Sequence, residues 1–316
     1  MTYPELLSAA WLDHLAERKP DAPTVVSTFA GCGGSSLGYS MAGFRELLAV
    51  EWDNNAVATF KANFPGVPVY HGDIGKLGID EALSLAGIKA GELDVLDGSP
   101  PCQGFSTAGK RRMEDSRNQL FHEFVRLLRG LQPRAFVMEN VSGMVKGKMK
   151  LIFAEILKEL KTSEYNVSAR LMNAMYFNVP QSRARMIFIG MRDGEPNHPK
   201  ALRSAIGLRS AIGLRRGWGK IEDGIKNKQF NNQYRSLDLP SVTLEKTRPP
   251  IIRENGVERE LTLMECSLIG SFPPEFQWGA KAYQRIGNSV PPLFMRAVAE
   301  HVKGLLEAQQ MKAAAA

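Results

Sequence analysis

LDVLDGSPPCQGFS at residues 93–106 and FVMENV at residues 136–141 are the two stretches on which the reading of this chain turns. Each is a short apolar run that delivers a reactive side chain. Cys102 stands just past the first run, and Glu139 at the end of the second. If both runs are strands of one parallel sheet, their C-terminal ends open onto the same edge, where such folds bind their ligands. A sulfur nucleophile and a carboxyl acid meeting there suit one-carbon chemistry on an electron-poor ring.

Working outward, TVVSTF (24–29), LLAVE (47–51), VPVYHGD (67–73), AFVMEN (135–140) and RMIFIGM (185–191) read as further strands. Helical spacing runs through 54–64, 118–131 and 149–161. This alternation predicts an α/β fold built on a parallel sheet. It stops after Met191. Residues 192 to about 250 are rich in Gly, Asn, Arg and Pro and have weak periodicity, ending in SVTLE (241–245) and a turn-like RENG (253–256). YQRIGNSVPPLFMRAVAEHVKGLLEAQ then reads as a loop entering a helix, and the tail MKAAAA as frayed. The expected organisation is a catalytic domain of residues 1–190 and 280–316, with a target-recognition domain and hinge at 191–279.

The chain has 316 residues and a net charge of +7. From Met191 to Arg235 there are ten basic residues against four acids, nearly the whole excess, which predicts a nucleic-acid-facing lobe. Within it RSAIGL occurs twice, at 203–208 and 209–214, followed by Arg215. An extended chain would align Arg203, Arg209 and Arg215 on one face. No apolar run approaches the roughly 20 residues that span a bilayer. The N-terminus lacks signal-peptide character and reads as a short amphipathic helix. The cysteines are Cys32, Cys102 and Cys266, without CxxC or histidine spacing for a metal, so neither a metal nor a disulfide framework is expected and a reducing bacterial cytoplasm or nucleoid fits.

TFAGCGGSSLG (28–38) is a glycine turn between a strand and a helix. As a dinucleotide fingerprint it fails, because Ser36 stands where the third glycine would be. Glu51, twenty residues beyond Gly31, can accept from ribose hydroxyls. Trp52 offers a face for adenine, and Asp73 an acceptor for its amine. No phosphate-binding lysine follows the glycines, so an adenosyl ligand without phosphates, S-adenosylmethionine, fits better than a nucleoside triphosphate. Cys32 reads as packing.

Around Cys102, two prolines stiffen the approach and a polar, glycine-rich stretch follows. Lys110, Arg111 and Arg112 can favour the thiolate and grip phosphate. No histidine is near enough in sequence to suggest a Cys-His protease pair.

In the order GSPPCQGFS, MENV, QSRAR (181–185) and YQRIGNSVPP, these motifs resemble the DNA cytosine-5 methyltransferase family, over most of the chain. FAGCGG, EWD and GDI resemble its first three motifs. The resemblance implies a Rossmann-like S-adenosylmethionine-dependent sheet with a small irregular target-recognition domain. It implies cofactor contacts at Phe29, Gly31, Gly33, Glu51, Trp52, Asp73, Ile74, Pro101, Leu120 and Asn288, with S-adenosyl-L-homocysteine as product. It makes Cys102 the nucleophile and Glu139 the acid, helped by Asn140. Arg185 would reach a flipped-out cytosine and Arg183 would brace the loop. Ser106 and Arg117 would contact backbone or loop. RELTLMECSLIGSFPPEF (259–276) resembles the ninth motif but departs from it at Met264 and Ser267. The expected partner is double-stranded DNA, with a cognate restriction endonuclease acting separately and the protein a monomer. An RNA-directed relative acting on tRNA, which carries a Cys-Phe-Thr absent here, and a catalytically silent relative that only binds nucleic acid are the alternatives.

Overall fold

The computed structural model describes residues 1–101, 116–145, 149–202, 205–214, 224–227, 231–254 and 256–315. Its centre is a seven-stranded sheet. The strands are β1 (Thr24–Thr28), β2 (Arg45–Glu51), β3 (Val69–His71), β4 (Val95–Gly98), β5 (Ala135–Val141), β6 (Asn166–Asn173) and β7 (Ala184–Met191). Their order is β3-β2-β1-β4-β5-β7-β6. The first five are mutually parallel, as expected. The run RMIFIGM differs. As β7 it lies antiparallel to both β5 and β6. β6 is not among the strands expected from sequence. It is the edge strand and exposes much of NVSARLMN, so it lacks the apolar run that marks a buried strand.

Helices cover both faces. On one lie α1 (Tyr3–Leu15), α2 (Gly34–Met41), α3 (Asn54–Asn63) and α10 (Pro292–Ala314), packed on Val25, Val95, Val137 and Ile187. On the other lie α4 (Ile79–Ala86), α5 (Ser116–Leu131) and α6 (Met149–Lys161), packed on Val26, Leu96, Phe136 and Phe188. Local chemistry explains their limits. A Thr2/Glu5 capping box opens α1, Asp53 caps α3, and Gly87 at φ +67° ends α4. In α6, Ile152, Ile156 and Leu160 recur every four residues and form its buried stripe. The tail does not fray as expected, since α10 stays helical to Ala314.

Beyond β7 the irregular region contains more order than its composition suggests. A four-stranded antiparallel sheet forms from β8 (Gly224–Asn227), β9 (Asn231–Ser236), β10 (Ile251–Glu254) and β11 (Val257–Glu260), in the order β11-β10-β8-β9. The turn read at RENG joins β10 to β11. SVTLE is not a strand and contributes a single bridge from Ser241 to Gln181. The second RSAIGL copy is not extended either. It folds into a helical turn, α7 (Leu208–Ala211), with the Arg209 N–H donating to the Leu237 carbonyl. Ile225 and Ile252 pack with Leu208, Leu237 and Leu261. They also pack on Cys266 and Ile269 of α8 (Leu263–Ile269) and on Ile286 of α9 (Ala282–Asn288). Among the described residues, no helix is long and apolar enough to cross a membrane.

Helix α2 carries the residues that follow the glycine turn, and it is seated against α10 through Gly38. A β-carbon there would lie 2.7 Å from the Arg296 nitrogen, the Pro292 oxygen and Met295 Cβ. Backbone cannot yield as a side chain can. Overpacking costs about 1–3 kcal/mol, which exceeds the helix-propensity gain of about 1 kcal/mol from replacing glycine by alanine. Gly38→Ala is therefore expected to lower the calorimetric unfolding midpoint. A raised midpoint would mean that α2 and α10 are not in such close contact.

Candidate active site

The strands β1, β2, β4 and β5 all point their C-terminal ends at one edge of the sheet, and the residues singled out from sequence gather there. At the end of β1 the chain turns through Phe29 (φ +55°), Gly31 (φ +58°) and Gly33 (φ +94°). The two glycines serve different needs. A β-carbon at Gly33 would strike the Phe64 ring at 2.4 Å, whereas one at Gly31 would meet nothing within 4 Å. The turn is thus packed from behind at Gly33 and open at Gly31, where a ligand can approach the backbone.

Glu51, at the end of β2, is buried and ties this edge together. Its Oε2 accepts from the Gly31 N–H at 2.8 Å, and its Oε1 accepts from the N–H groups of Trp52 at 3.0 Å and Asp53 at 2.9 Å. A carboxylate has about four acceptor positions. Three are used, which leaves room on Oε2 for one ribose hydroxyl without rearrangement. Trp52 is 77% exposed, with its ring free to receive an adenine. Asp73 is exposed and accepts from the Gly75 N–H, and Ile74 beside it is buried. Leu120 is half-buried on α5, Pro101 is half-buried, and Asn288 is exposed at the end of α9. An open backbone turn, a carboxylate with an unused acceptor site and an exposed indole fit an adenosyl group that has no phosphates.

On the neighbouring strands, Glu139 lies in β5 and Arg185 in β7. The Arg185 Nε donates to Glu139 Oε1 at 2.7 Å, and both side chains are largely buried. The sequence names no partner for Glu139 and sends Arg185 to the base by resemblance; the structure pairs the two. Asn140 donates through Nδ2 to the Pro100 carbonyl at 3.0 Å, and its Oδ1 accepts from the Val141 N–H. That contact fixes the chain beside β5 two residues before Cys102. Arg183 is buried and donates from Nη2 to the Gly287 carbonyl at 3.0 Å, and its backbone N–H donates to Asn173. It therefore braces α9 rather than any described part of the loop after Pro101. Burial, and then the like charge of Arg185, pull its guanidinium down to about 9, against the opposing pull of Glu139.

Cys102, Ser106, Lys110, Arg111, Arg112, Arg203 and Arg215 lie outside the described residues, and the side chain of Arg117 does too. Arg209 is described. Its Nε donates to Asp238 Oδ1 at 3.0 Å and its side chain is mostly buried, so it holds the second repeat copy in place. The two other cysteines are poor nucleophiles. Burial pushes the Cys32 thiol up to about 11 and the Cys266 thiol up to about 12. No group of His, Cys, Asp or Glu suited to a metal ion occurs among the described residues.

Two features of this edge are absent from the sequence expectations. Arg285 of α9 pairs with Asp53, joining the YQRIGN segment to the residue that caps α3. Asp97, in the quoted strand LDVLDG, is buried and accepts from Ser35 Oγ at 2.6 Å. An acid inside an apolar run is the available signal for it.

A family model described as C-5 cytosine-specific DNA methylase matches residues 24–212 and 203–304. The two matches overlap across the repeated segment. Type II methyltransferase M1.HphI of Haemophilus parahaemolyticus is 33% identical, over 88% of this chain and 86% of that protein. M.HindV of Haemophilus influenzae is 32% identical, over 88% and 95% respectively. Among solved structures, a DNA modification methyltransferase encoded within an E. coli prophage superposes with a TM-score of 0.73 at 23% identity, covering 90% of this chain and all of that one. The Dnmt2 methyltransferase of S. pombe superposes at 0.68 with 19% identity, covering 92% and 99%. At such identities these two structures speak for the fold.

Removing one partner of a buried ion pair costs about 3–5 kcal/mol, because the other charge is left unpaired. Arg185→Met should lower stability by about that amount in urea unfolding, and adding Glu139→Gln should recover most of the loss. A double variant no more stable than Arg185→Met would refute the pair as the source of the effect.

Proposed function

The chain belongs to the C-5 cytosine-specific DNA methylase family and is a DNA cytosine methyltransferase, and from that premise we propose that it methylates carbon 5 of a cytosine flipped out of a specific duplex sequence, through a covalent adduct with Cys102. The observation that carries this reading is the meeting of Glu139, Arg185 and the Asn140–Pro100 contact at one sheet edge, directly before Cys102.

Carbon 5 of cytosine is too weak a nucleophile to take a methyl group unaided. The Cys102 thiolate adds to carbon 6, and the ring electrons move toward nitrogen 3, which makes carbon 5 enamine-like. Glu139 holds nitrogen 3 and shares a proton with it as the adduct forms, while Arg185 keeps the carboxyl oriented through Oε1. Loss of the carbon 5 proton after transfer restores the ring double bond and expels the thiolate. Members of this family depend on S-adenosylmethionine, which supplies the methyl group as an electrophile. Phe29, Gly31, Gly33, Glu51, Trp52, Asp73, Ile74, Pro101, Leu120 and Asn288 would hold it. A paired base cannot reach such a pocket, so the cytosine is extruded at a cost of a few kcal/mol. Residues 191–279 form the target-recognition part, with Ser106, Lys110, Arg111, Arg117, Arg203 and Arg215 toward DNA.

Bisulfite sequencing of plasmid DNA from a methylation-free host is expected to reveal protected cytosines in one fixed context for the native chain and none for Cys102→Ser. Methylation retained by that variant would sink the covalent route, and a blank for soluble native protein would redirect the search to RNA.

The basic residues should separate by role. Replacing Arg203 or Arg215 with alanine should weaken DNA binding and reduce the log–log salt slope by about one for each phosphate that is no longer neutralised. Arg209→Ala should leave the slope unchanged and lower stability, because Arg209 is engaged with Asp238. A slope that falls only for Arg209→Ala would reverse this assignment.

A further inference from the structure

Asp97 is buried in the middle of the main sheet with no cation in contact among the described residues. Its register partners are Ser27 on β1 and Val137 on β5, so its side chain emerges on the face covered by α2. Ser35, in the first turn of α2, donates to its Oδ2 at 2.6 Å. The hydroxyl of Tyr39, one turn further along α2, faces the same carboxyl, but among the described residues neither it nor the other oxygen, Oδ1, has a close hydrogen bond. Both are fully enclosed. The strand itself is held by Thr28, whose hydroxyl donates to the Asp97 carbonyl at 2.9 Å. Five residues further along the chain stands Cys102.

An ionised carboxylate with only hydroxyl donors and no cation is costly to bury. Its titratable neighbours make this worse. Facing it are Glu46 from β2 and Glu139 from β5, both acids, and Tyr39 from α2, which eases the charge only slightly; none of them is positive. A neutral carboxyl removes the difficulty. It needs no cation, still accepts from Ser35 through one oxygen, and can share a hydrogen between Oδ1 and the Tyr39 hydroxyl as the ionised form also can.

We propose that Asp97 is a positioning residue that, as a neutral acid, latches the start of α2 and the glycine turn before it onto the strand leading to Cys102, and that its ionisation loosens the cofactor turn. The part concerning the cofactor rests on the S-adenosylmethionine reading above. The latch itself rests only on the contacts among Asp97, Ser35 and Tyr39. Burial above all, and then the charge of Glu139, push the Asp97 carboxyl up to about 7, while Ser35 and, more weakly, Tyr39 pull it down. The sign follows. A carboxyl raised in the folded state contributes stability that is complete at low pH and is lost as pH rises toward that value. Asparagine has the shape of the neutral acid but does not titrate.

The test compares native chain, Asp97→Asn and Ser35→Ala in two measurements across about pH 4 to 8.5, because the loss begins near the unfolded carboxyl value of 3.8. One is thermal unfolding of the apoprotein. The other is calorimetric affinity for S-adenosylhomocysteine. Asp97→Asn should match the native midpoint at the acid end and exceed it by several degrees at the alkaline end. The affinity of the native chain should fall at least about threefold over that range, and that of Asp97→Asn should stay flat. Ser35→Ala should bind more weakly and shift the native transition to higher pH, because it removes the bond that favours the charged form. A merely structural Asp97 would move the midpoints equally at every pH, and that result overturns the proposal. Failure of the native chain to bind S-adenosylhomocysteine would overturn the cofactor reading, leaving the unfolding comparison to decide the latch by itself.

Discussion

The direction of β7 is the constraint on which the rest of the site depends. Because it runs antiparallel to β5, its first residues lie at the edge where β5 ends, with Arg185 opposite Val141 and two positions from Glu139 on the same face. A parallel β7 would begin at the far edge. Aligned start to start, Arg185 would then stand beside Phe136, three residues and roughly 10 Å from Glu139. The Glu139–Arg185 pair, the Arg183 contact to Gly287 and the parallel bridge from Gln181 to Ser241 all follow from this one reversal. By its apolar pattern β7 reads as one more parallel strand, while the motif resemblance brings Arg185 to the reacting base. The two expectations are incompatible until the strand direction is known.

The same edge shows how a fold keeps several buried charges without an interior of mixed sign failing to pack. Glu139 has a cation at 2.7 Å, and Glu51 is ringed by three backbone donors. Asp97 faces two hydroxyls, Ser35 and Tyr39, and no cation among the described residues, so the cheaper state for it is neutral. Three carboxyls within one layer therefore meet burial in three ways: by ion pairing, by backbone hydrogen bonds and by proton uptake. Which way applies depends on the neighbours each strand end provides, and this is why three acids of similar chemistry can serve different ends.

Much of this is legible in the chain because the parallel strands are buried on both faces and read as continuous apolar runs, from TVVSTF to AFVMEN. The glycine turn, Glu51, Glu139 and Asn140 are legible because each follows such a run at a fixed distance. The remainder is hidden for physical reasons. β6 and the small sheet are partly exposed, and their polar residues erase the apolar signal. The repeat misleads. Two identical segments suggest an extended ladder of arginines, but Leu208 is buried in the core of the small lobe and pulls the second copy into a helical turn. Ion pairs between distant segments, such as Asp53 with Arg285, leave no local pattern at all.

That last pair also joins the two halves of the molecule. Ile286 of α9 belongs to the apolar core beneath the small sheet, while its neighbour Arg285 reaches across to Asp53, two residues beyond Glu51. Gly287 lies so close to Glu245 that a β-carbon there would meet its backbone at 2.5 Å, and the Gly287 carbonyl also receives Arg183. One short helix thus carries contacts to the small lobe, to Arg183 near Glu139 and Arg185, and to Asp53 beside Glu51. The Gln181–Ser241 bridge and the contact of α7 with α1 also tie the small lobe to the main sheet, so α9 is one of several links. Within α9 that link needs no long pathway, because three consecutive residues, Arg285 to Gly287, supply it.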